Sequence, residues 1–206
     1  MRSLRRLLRR ELERLRMVIT PSNELDAVNE ILSSIGSSPV NSIEDDQNVD
    51  VINAKRILEG VSKEIQSRGW GFNTLSSVAL SADRDGLVPC PYSYLRFFSD
   101  GYQLVRREGY FYDMASDTQI FTGGLTIDEL VKELDFDALP DVFRKYITVR
   151  ASRVFQMRYL SAQELDQALA QEEAMAYSDI VDYDLMQGAY NIYDDDQTIS
   201  QNIQRS

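Results

Sequence analysis

The stretch NVDVINAKRILEGVSKEIQSRGWGFN, residues 48–73, decides the fold, because its pattern changes from helical to extended within a few residues. Its apolar residues recur at three- and four-residue spacings, which gathers them on one side of a helix. They are Val51, Ala54, Ile57, Leu58, Val61 and Ile65. Asn48 or Asp50 is the expected N-cap of this helix, since short polar side chains accept hydrogen bonds from the first free N–H groups. A shorter helix before it is expected to open on Thr20 or Ser22.

The long helix is predicted to stop at Gly69, as its C′ residue, because glycine enters the left-handed region without steric cost. After it, Trp70, Phe72 and Thr74 alternate with smaller or polar residues. A period of two is typical of a strand. We therefore expect Trp70 and Phe72 to enter a sheet directly after the helix, and Gly69, Trp70 and Phe72 to be the structural signature of the chain.

The β pattern extends over residues 70–138. Asp100-Gly101 and Glu108-Gly109 are turn signals between apolar runs. Residues 125–134 fit either a strand or a helix. The expected strands cover residues 94–98, 103–106 and 110–112. The pattern predicts a small antiparallel sheet inserted between helical parts.

The sequence returns to a helical pattern after residue 139. Ser161-Ala162-Gln163-Glu164 has the order of a capping box, in which the serine and the glutamate each satisfy a free backbone N–H. This predicts two helices, the second of which starts at the capping box and stops near Gly188. Residues 18–69 and 139–188 are thus predicted to form a bundle of about four helices, which with the inserted sheet makes an α+β fold.

Composition excludes several functions for this chain of 206 residues. Its net charge of −11 argues against general nucleic-acid binding, which needs clustered lysine and arginine. It has no histidine, so Ser-His, Cys-His and histidine–zinc chemistry are absent. Its single cysteine, Cys90, cannot form an internal disulfide. No apolar run approaches the roughly 18 residues needed to span a membrane.

Residues 1–17 differ from the rest of the chain. Seven arginines and two glutamates give them a charge of +5, so the remainder carries −16. Leucines lie between the arginines at helical spacing, which predicts a basic amphipathic helix. This helix could bind an anionic membrane surface, a groove in a partner protein or DNA phosphates, or it could be an upstream extension with Met17 as the native start. We favour docking on an acidic protein surface, with Arg5 and Arg9 as contacts.

The last segment, residues 189–206, is polar, with apolar residues spaced through it. Such a terminus is expected to be extended and to become ordered on a partner. The predicted docking anchors are Tyr190, Tyr193, Ile199 and Ile203.

Carboxylates are the only residues that suggest catalysis, because glycosidases use a pair of them. The visible clusters are Asp194-Asp195-Asp196, Asp179 with Asp182 and Asp184, and Glu172-Glu173. In a chain with 33 acidic residues, such clusters fit a solvated acidic face. The spacing of a calcium-binding hand loop is absent. We therefore predict no catalytic, cofactor-binding or metal-binding residues.

An ordered series of short motifs resembles the tail tubular protein A family, the head-to-tail adaptors of short-tailed bacteriophages. The central motif is IQSRGWGFN at residues 65–73. The others are ELDAVN at 24–29, ILSSIG at 31–36, NAKRIL at 53–58, LPDVFR at 139–144, ASRVF at 151–155, QEE at 171–173 and GAYN at 188–191. The resemblance covers roughly residues 25–196, which is most of the chain.

The resemblance implies a structural virion protein rather than an enzyme. The implied assembly is a dodecameric ring of this chain around a DNA channel at the head–tail junction. Its implied partners are the portal protein, the tail nozzle protein (of the tail tubular protein B type) and the tail fibre protein. DNA would pass through without specific binding, and the chain would be made in the host bacterial cytoplasm. The alternative is a carboxylate-dependent hydrolase of cell-envelope glycans carried in the phage tail.

Overall fold

The chain alternates between helical and β elements as a computed structural model describes it, for residues 20–44 and 48–195, with side chains as far as Gln187. The helices of this part are α1 Glu24–Ser33, α2 Val49–Gln66, α3 Asp141–Tyr159 and α4 Gln163–Asp195. The strands are β1 Thr74–Leu80, β2 Tyr94–Phe98, β3 Leu104–Arg107, β4 Tyr110–Asp113 and β5 Leu125–Lys132. A short 3₁₀ helix, Phe136–Ala138, leads into α3. The predicted α+β fold is confirmed.

The four helices bury one apolar core. The whole predicted stripe of α2 lies in it, together with apolar residues of α1, α3 and the middle of α4. Phe143, Phe155 and Ile180 are among its largest fully buried side chains. Apolar area removed from water stabilises such a core by about 25 cal/mol per Å².

Polar side chains cap the first two helices. Asn48 caps α2 as predicted, and its side chain accepts the Asp50 N–H at 2.9 Å. The predicted cap of α1 is wrong, because Asn23 takes that place and accepts the Asp26 N–H at 2.8 Å. The Ser22 hydroxyl donates instead to the Asp26 carboxylate.

The strands form two antiparallel sheets rather than the single predicted one. The larger has the order β1-β5-β2, and the smaller is the hairpin β3-β4. Glu108 and Gly109 form the two-residue hairpin turn, with φ of 50° and 82°, as their sequence predicts. Arg106 joins the sheets, because its side chain donates to the Cys90 carbonyl at 3.0 Å and to the Tyr94 carbonyl. Apolar residues from the strands and from the intervening loops form a second core.

The predicted boundaries of α4 are wrong at both ends. Ser161 lies in the left-handed region with φ of 53°, and its hydroxyl donates to the Met157 carbonyl at 2.9 Å. It therefore closes α3 instead of capping α4. At the other end, the helix continues through Gly188 to Asp195. A single glycine costs a helix only about 1 kcal/mol, and no proline follows this one.

Candidate assembly site

The signature residues meet in the turn that joins α2 to β1. The prediction that Trp70 and Phe72 enter the sheet is wrong, because β1 begins only at Thr74. Both rings pack into the helical core instead, against Phe143, with centroid distances of 4.9 Å and 4.5 Å. The turn is closed by the Trp70 N–H, which donates to Asn73 Oδ1 at 2.9 Å.

Two buried amides fasten this turn to the far end of the β insert. Asn73 Nδ2 donates to the Gln66 carbonyl at 3.0 Å and to the Lys132 carbonyl at 3.1 Å. Gln66 Nε2 donates to the Leu134 carbonyl at 3.0 Å, and Gln66 Oε1 accepts the Leu134 N–H at 2.8 Å. Buried polar groups are costly unless they are paired, and these pair with backbone. The end of α2, the start of β1 and the end of β5 are thus held together. We call this region the junction.

Gly69 lies where the junction is most crowded. Its φ is +79°, and a Cβ built there would stand 2.6 Å from Arg96 Nη2 and 3.0 Å from Val131 Cγ2. The Arg96 side chain is held in this position, because it donates to the Arg68 carbonyl at 2.8 Å and pairs with Glu129 at 2.6 Å. Glycine is therefore required both by the backbone conformation and by the close approach.

Replacing Gly69 with alanine is expected to lower the free energy of unfolding by about 2 kcal/mol, through the left-handed backbone and the displaced Arg96. Gly36→Ala is the control, because Gly36 has φ of +77° and no atom within 4 Å of its would-be Cβ. It should cost about 1 kcal/mol. Urea unfolding followed by circular dichroism measures both. Equal losses would show that the contact with Arg96 is unimportant.

An ion-pair network holds α2, α3 and α4 together. Arg150 bonds Glu173 and Glu64, each at 2.8 Å. Arg153 bonds Asp166 at 2.7 Å and Glu173 at 3.0 Å. The hydrogen bond from Arg153 lowers the pKa of the Asp166 carboxyl. Glu173 is the centre of the network, and its side chain is only 13% exposed.

Replacing Glu173 with glutamine is expected to lower the free energy of unfolding by about 1–2 kcal/mol, because two arginines lose a charged partner. Glu164→Gln is the control, since Glu164 lies exposed in the first turn of the same helix. Its effect should stay below about 0.5 kcal/mol. Thermal unfolding at low and high salt measures both variants. A Glu173→Gln effect no larger than that of the control would contradict a structural role for the network.

The outer side of α4 exposes apolar residues. The helix has 33 residues, which corresponds to about 50 Å. Ala176 and Ile180 face the bundle and are fully buried, whereas Met175, Leu185 and Met186 are 63%, 66% and 73% exposed. Exposed apolar surface of this kind commonly marks a protein contact. We call the exposed apolar residues of α4, which are Met175, Tyr177, Leu185 and Met186, the outer face.

The model of the tail tubular protein family matches residues 25–190. The chain belongs to the tail tubular protein family. The resemblance predicted from the motifs is thereby confirmed, and the chain is a structural protein of the phage tail. A search of curated proteins gives no match. Within the described ranges, no helix of this tail tubular protein is long and apolar enough to cross a membrane.

The family match covers the junction but not all predicted docking residues. Gly69, Trp70 and Phe72 lie within it. Tyr190 and Tyr193 fall in the last turns of α4, so the start of the predicted extended tail is helical. Ile199 and Ile203 lie outside the described residues. So do Arg5 and Arg9 of the basic N-terminal segment.

Several acidic residues of the proposed clusters fasten α4 to the rest of this tail tubular protein. Glu173 bonds two arginines, Asp179 pairs with Lys145 at 3.3 Å, and Asp184 accepts the Gly71 N–H at 2.8 Å. These acids therefore have structural partners, unlike the freely solvated face expected from the sequence. Among the residues that the structure describes, no group of three or more acidic or cysteine side chains is arranged to hold a metal ion.

Proposed function

We propose that this tail tubular protein is a subunit of an adaptor ring that joins the portal of the phage head to the nozzle of its tail. In this proposal twelve copies surround the DNA ejection channel at the head–tail junction, and tail fibres attach at the side. The chain is made in the host cytoplasm and assembles onto the completed head. The outer face of α4 is the observation that carries the proposal.

A ring needs two different contact surfaces on each subunit, because each copy meets its neighbours head to tail. The outer face of α4 supplies one candidate. A second lies at the start of α2, where Val49 and Ile52 are 66% and 53% exposed. These apolar residues would be costly to leave in water over a large surface, and burial against neighbouring copies removes that cost.

The charge of the chain fits a channel wall. A net charge of −11 repels the phosphates of DNA. Binding to DNA backbone requires lysine and arginine clusters that release counterions. A ring built from acidic subunits would therefore let DNA slide through without adhering to it.

The proposal is tested by negative-stain electron microscopy of the protein mixed with portal rings of the same virus. We expect an additional ring on one end of the portal, with the copy number given by its rotational symmetry. Unchanged portals beside free monomeric protein would contradict the adaptor role.

Charged substitutions on the outer face sharpen this test. Met175→Glu with Leu185→Glu should prevent ring formation while leaving the fold intact. Met114→Glu with Phe98→Glu is the matched control, because Met114 and Phe98 are 54% and 60% exposed in the β part. Rings that form equally well with both double variants would remove the outer face from the interface.

Two truncations separate the predicted docking anchors. Removing residues 196–206 deletes Ile199 and Ile203 but leaves α4 whole. Removing residues 189–206 also deletes Tyr190 and Tyr193. We expect the longer deletion to abolish portal binding with the helical circular dichroism largely retained. Portal binding that survives both truncations would show that the C-terminal segment is not the docking element.

A further inference from the structure

A small groove lies between α1, α3 and α4. It encloses about 90 Å³, enough for one aliphatic side chain. Val149, Leu165 and Leu169 contribute its apolar lining. Pro21, at the start of the described chain, is buried and also lines it.

Two carboxylates border the groove without a cation to balance them. Glu30 and Glu172 both line it, and no arginine or lysine among the described residues forms an ion pair with either. Lys145, the lysine of this groove, pairs instead with Asp179 at 3.3 Å. Desolvation raises the pKa of the Glu30 carboxyl although the residue as a whole is exposed, and the charge of Glu172 raises it further. The groove therefore presents an unbalanced negative charge.

A buried hydroxyl faces the same groove. Ser152 is only 3% exposed and lines the cavity. Its Oγ has no hydrogen-bond partner within residues 20–44 and 48–187. Buried polar atoms are normally paired, so an unpaired hydroxyl in a cavity wall indicates a missing partner. This observation is independent of the two carboxylates.

We propose that the groove binds the basic N-terminal segment of the same chain, residues 1–17. A leucine of that segment fills the apolar cavity, and arginines pair with Glu30 and Glu172. The segment has the required chemistry, since seven arginines alternate with leucines at helical spacing and its charge is +5.

The connection of the chain supports this occupant over a separate partner. Pro21 lines the groove, and the segment ends only a few residues before it. Each residue spans at most about 3.5 Å, so Arg14 and Arg16 are within reach of the two carboxylates if the chain turns back on α1. Attachment also gives the segment a millimolar effective concentration, which no free partner has. The inference holds whether or not the protein forms an adaptor ring.

Disulfide trapping in the full-length protein tests the proposal. A cysteine replacing Glu13 is combined with one replacing Ser33, an exposed residue that lines the groove. We expect a disulfide within one chain, with a yield independent of protein concentration. The control combines the Glu13 cysteine with one replacing Ser76, an exposed serine of β1. Cys90 is fully buried and stays in place.

Equal yields from the Ser33 and Ser76 pairs would overturn the proposal. Disulfides formed only between chains, and rising with concentration, would overturn it too, because they would assign the groove to the segment of a second copy. A yield that collapses on adding Glu30→Gln with Glu172→Gln is the expected result. It would show that the two carboxylates hold the segment.

A charge test gives an independent answer in its sign. In an empty groove, Glu30→Gln relieves repulsion from Glu172 and should raise the thermal unfolding midpoint. With arginines bound, the same substitution should lower it. In an Arg14→Gln and Arg16→Gln background, the effect of Glu30→Gln should change sign. A raised midpoint for Glu30→Gln in the otherwise unchanged protein would contradict the proposal.

Discussion

Replacing Phe143 with alanine is expected to lower the free energy of unfolding by about 4 kcal/mol, because large cavities in cores are costly. Phe143 is fully buried in the helical core. Its ring is in edge-to-face contact with Trp70, Phe72 and Tyr183, at centroid distances of 4.9, 4.5 and 6.0 Å. Aromatic pairs contribute about 0.5–1.5 kcal/mol beyond their buried area. Phe143 thus connects α3, the junction and α4.

Equilibrium unfolding in urea measures this effect. Phe98→Ala is the control, because Phe98 is 60% exposed, and it should cost less than about 0.5 kcal/mol. Phe143→Leu should fall between the two, since it leaves a smaller cavity. If Phe143→Ala unfolds within about 1 kcal/mol of the control, the ring is not the centre of the core.

Replacing Asn73 with aspartate is expected to lower the free energy of unfolding by about 3 kcal/mol at neutral pH, because an unpaired charge is buried. Asn73 is 2% exposed. Its amide nitrogen donates to the Gln66 and Lys132 carbonyls. A carboxylate oxygen in the same place would face two carbonyl oxygens with no proton to share. The junction would lose its central bond.

The cost of Asn73→Asp should depend on pH. Burial and the two carbonyls raise the pKa of the new carboxyl above its usual value of about 4, because only the protonated form can donate. The folded state then binds a proton that the unfolded state has released. The destabilisation therefore grows as pH rises from about 4 to the raised pKa.

Urea unfolding at pH 5 and pH 8 checks this sign. The difference from the wild-type protein should be larger at pH 8. Asn53→Asp is the control, because Asn53 is half-buried on α2, and its effect should stay small at both pH values. A difference from wild type that is the same at both pH values would mean that the new carboxyl reaches solvent.

The fold was accessible from the sequence wherever local signals were strong. The apolar stripe of α2 spans five turns of helix, and all of it is buried. The hairpin was predicted because Glu108-Gly109 provides the positive φ values of a two-residue turn. The direction of Trp70 and Phe72 was mispredicted, because an alternation over four residues also occurs in a turn. Their contacts with Phe143 join positions far apart in the sequence.

The candidate site was much less predictable. Gln66 and Asn73 are polar residues with no local pattern, and their bonds to residues 132 and 134 depend on the tertiary fold. The outer face of α4 could not be separated from its buried face, because apolar residues occur on both sides of that helix. The motif series identified the family because it records order along the chain, which is independent of how the side chains pack.

The junction also makes the β insert an exchangeable module. The chain leaves the bundle and returns to it at the same place, where the Lys132 N–H donates to the Asn73 carbonyl at 2.9 Å. The bundle therefore requires of any inserted domain only that its two ends lie one hydrogen bond apart. Evolution can lengthen, shorten or replace the material between residues 73 and 132 while the four helices keep their packing.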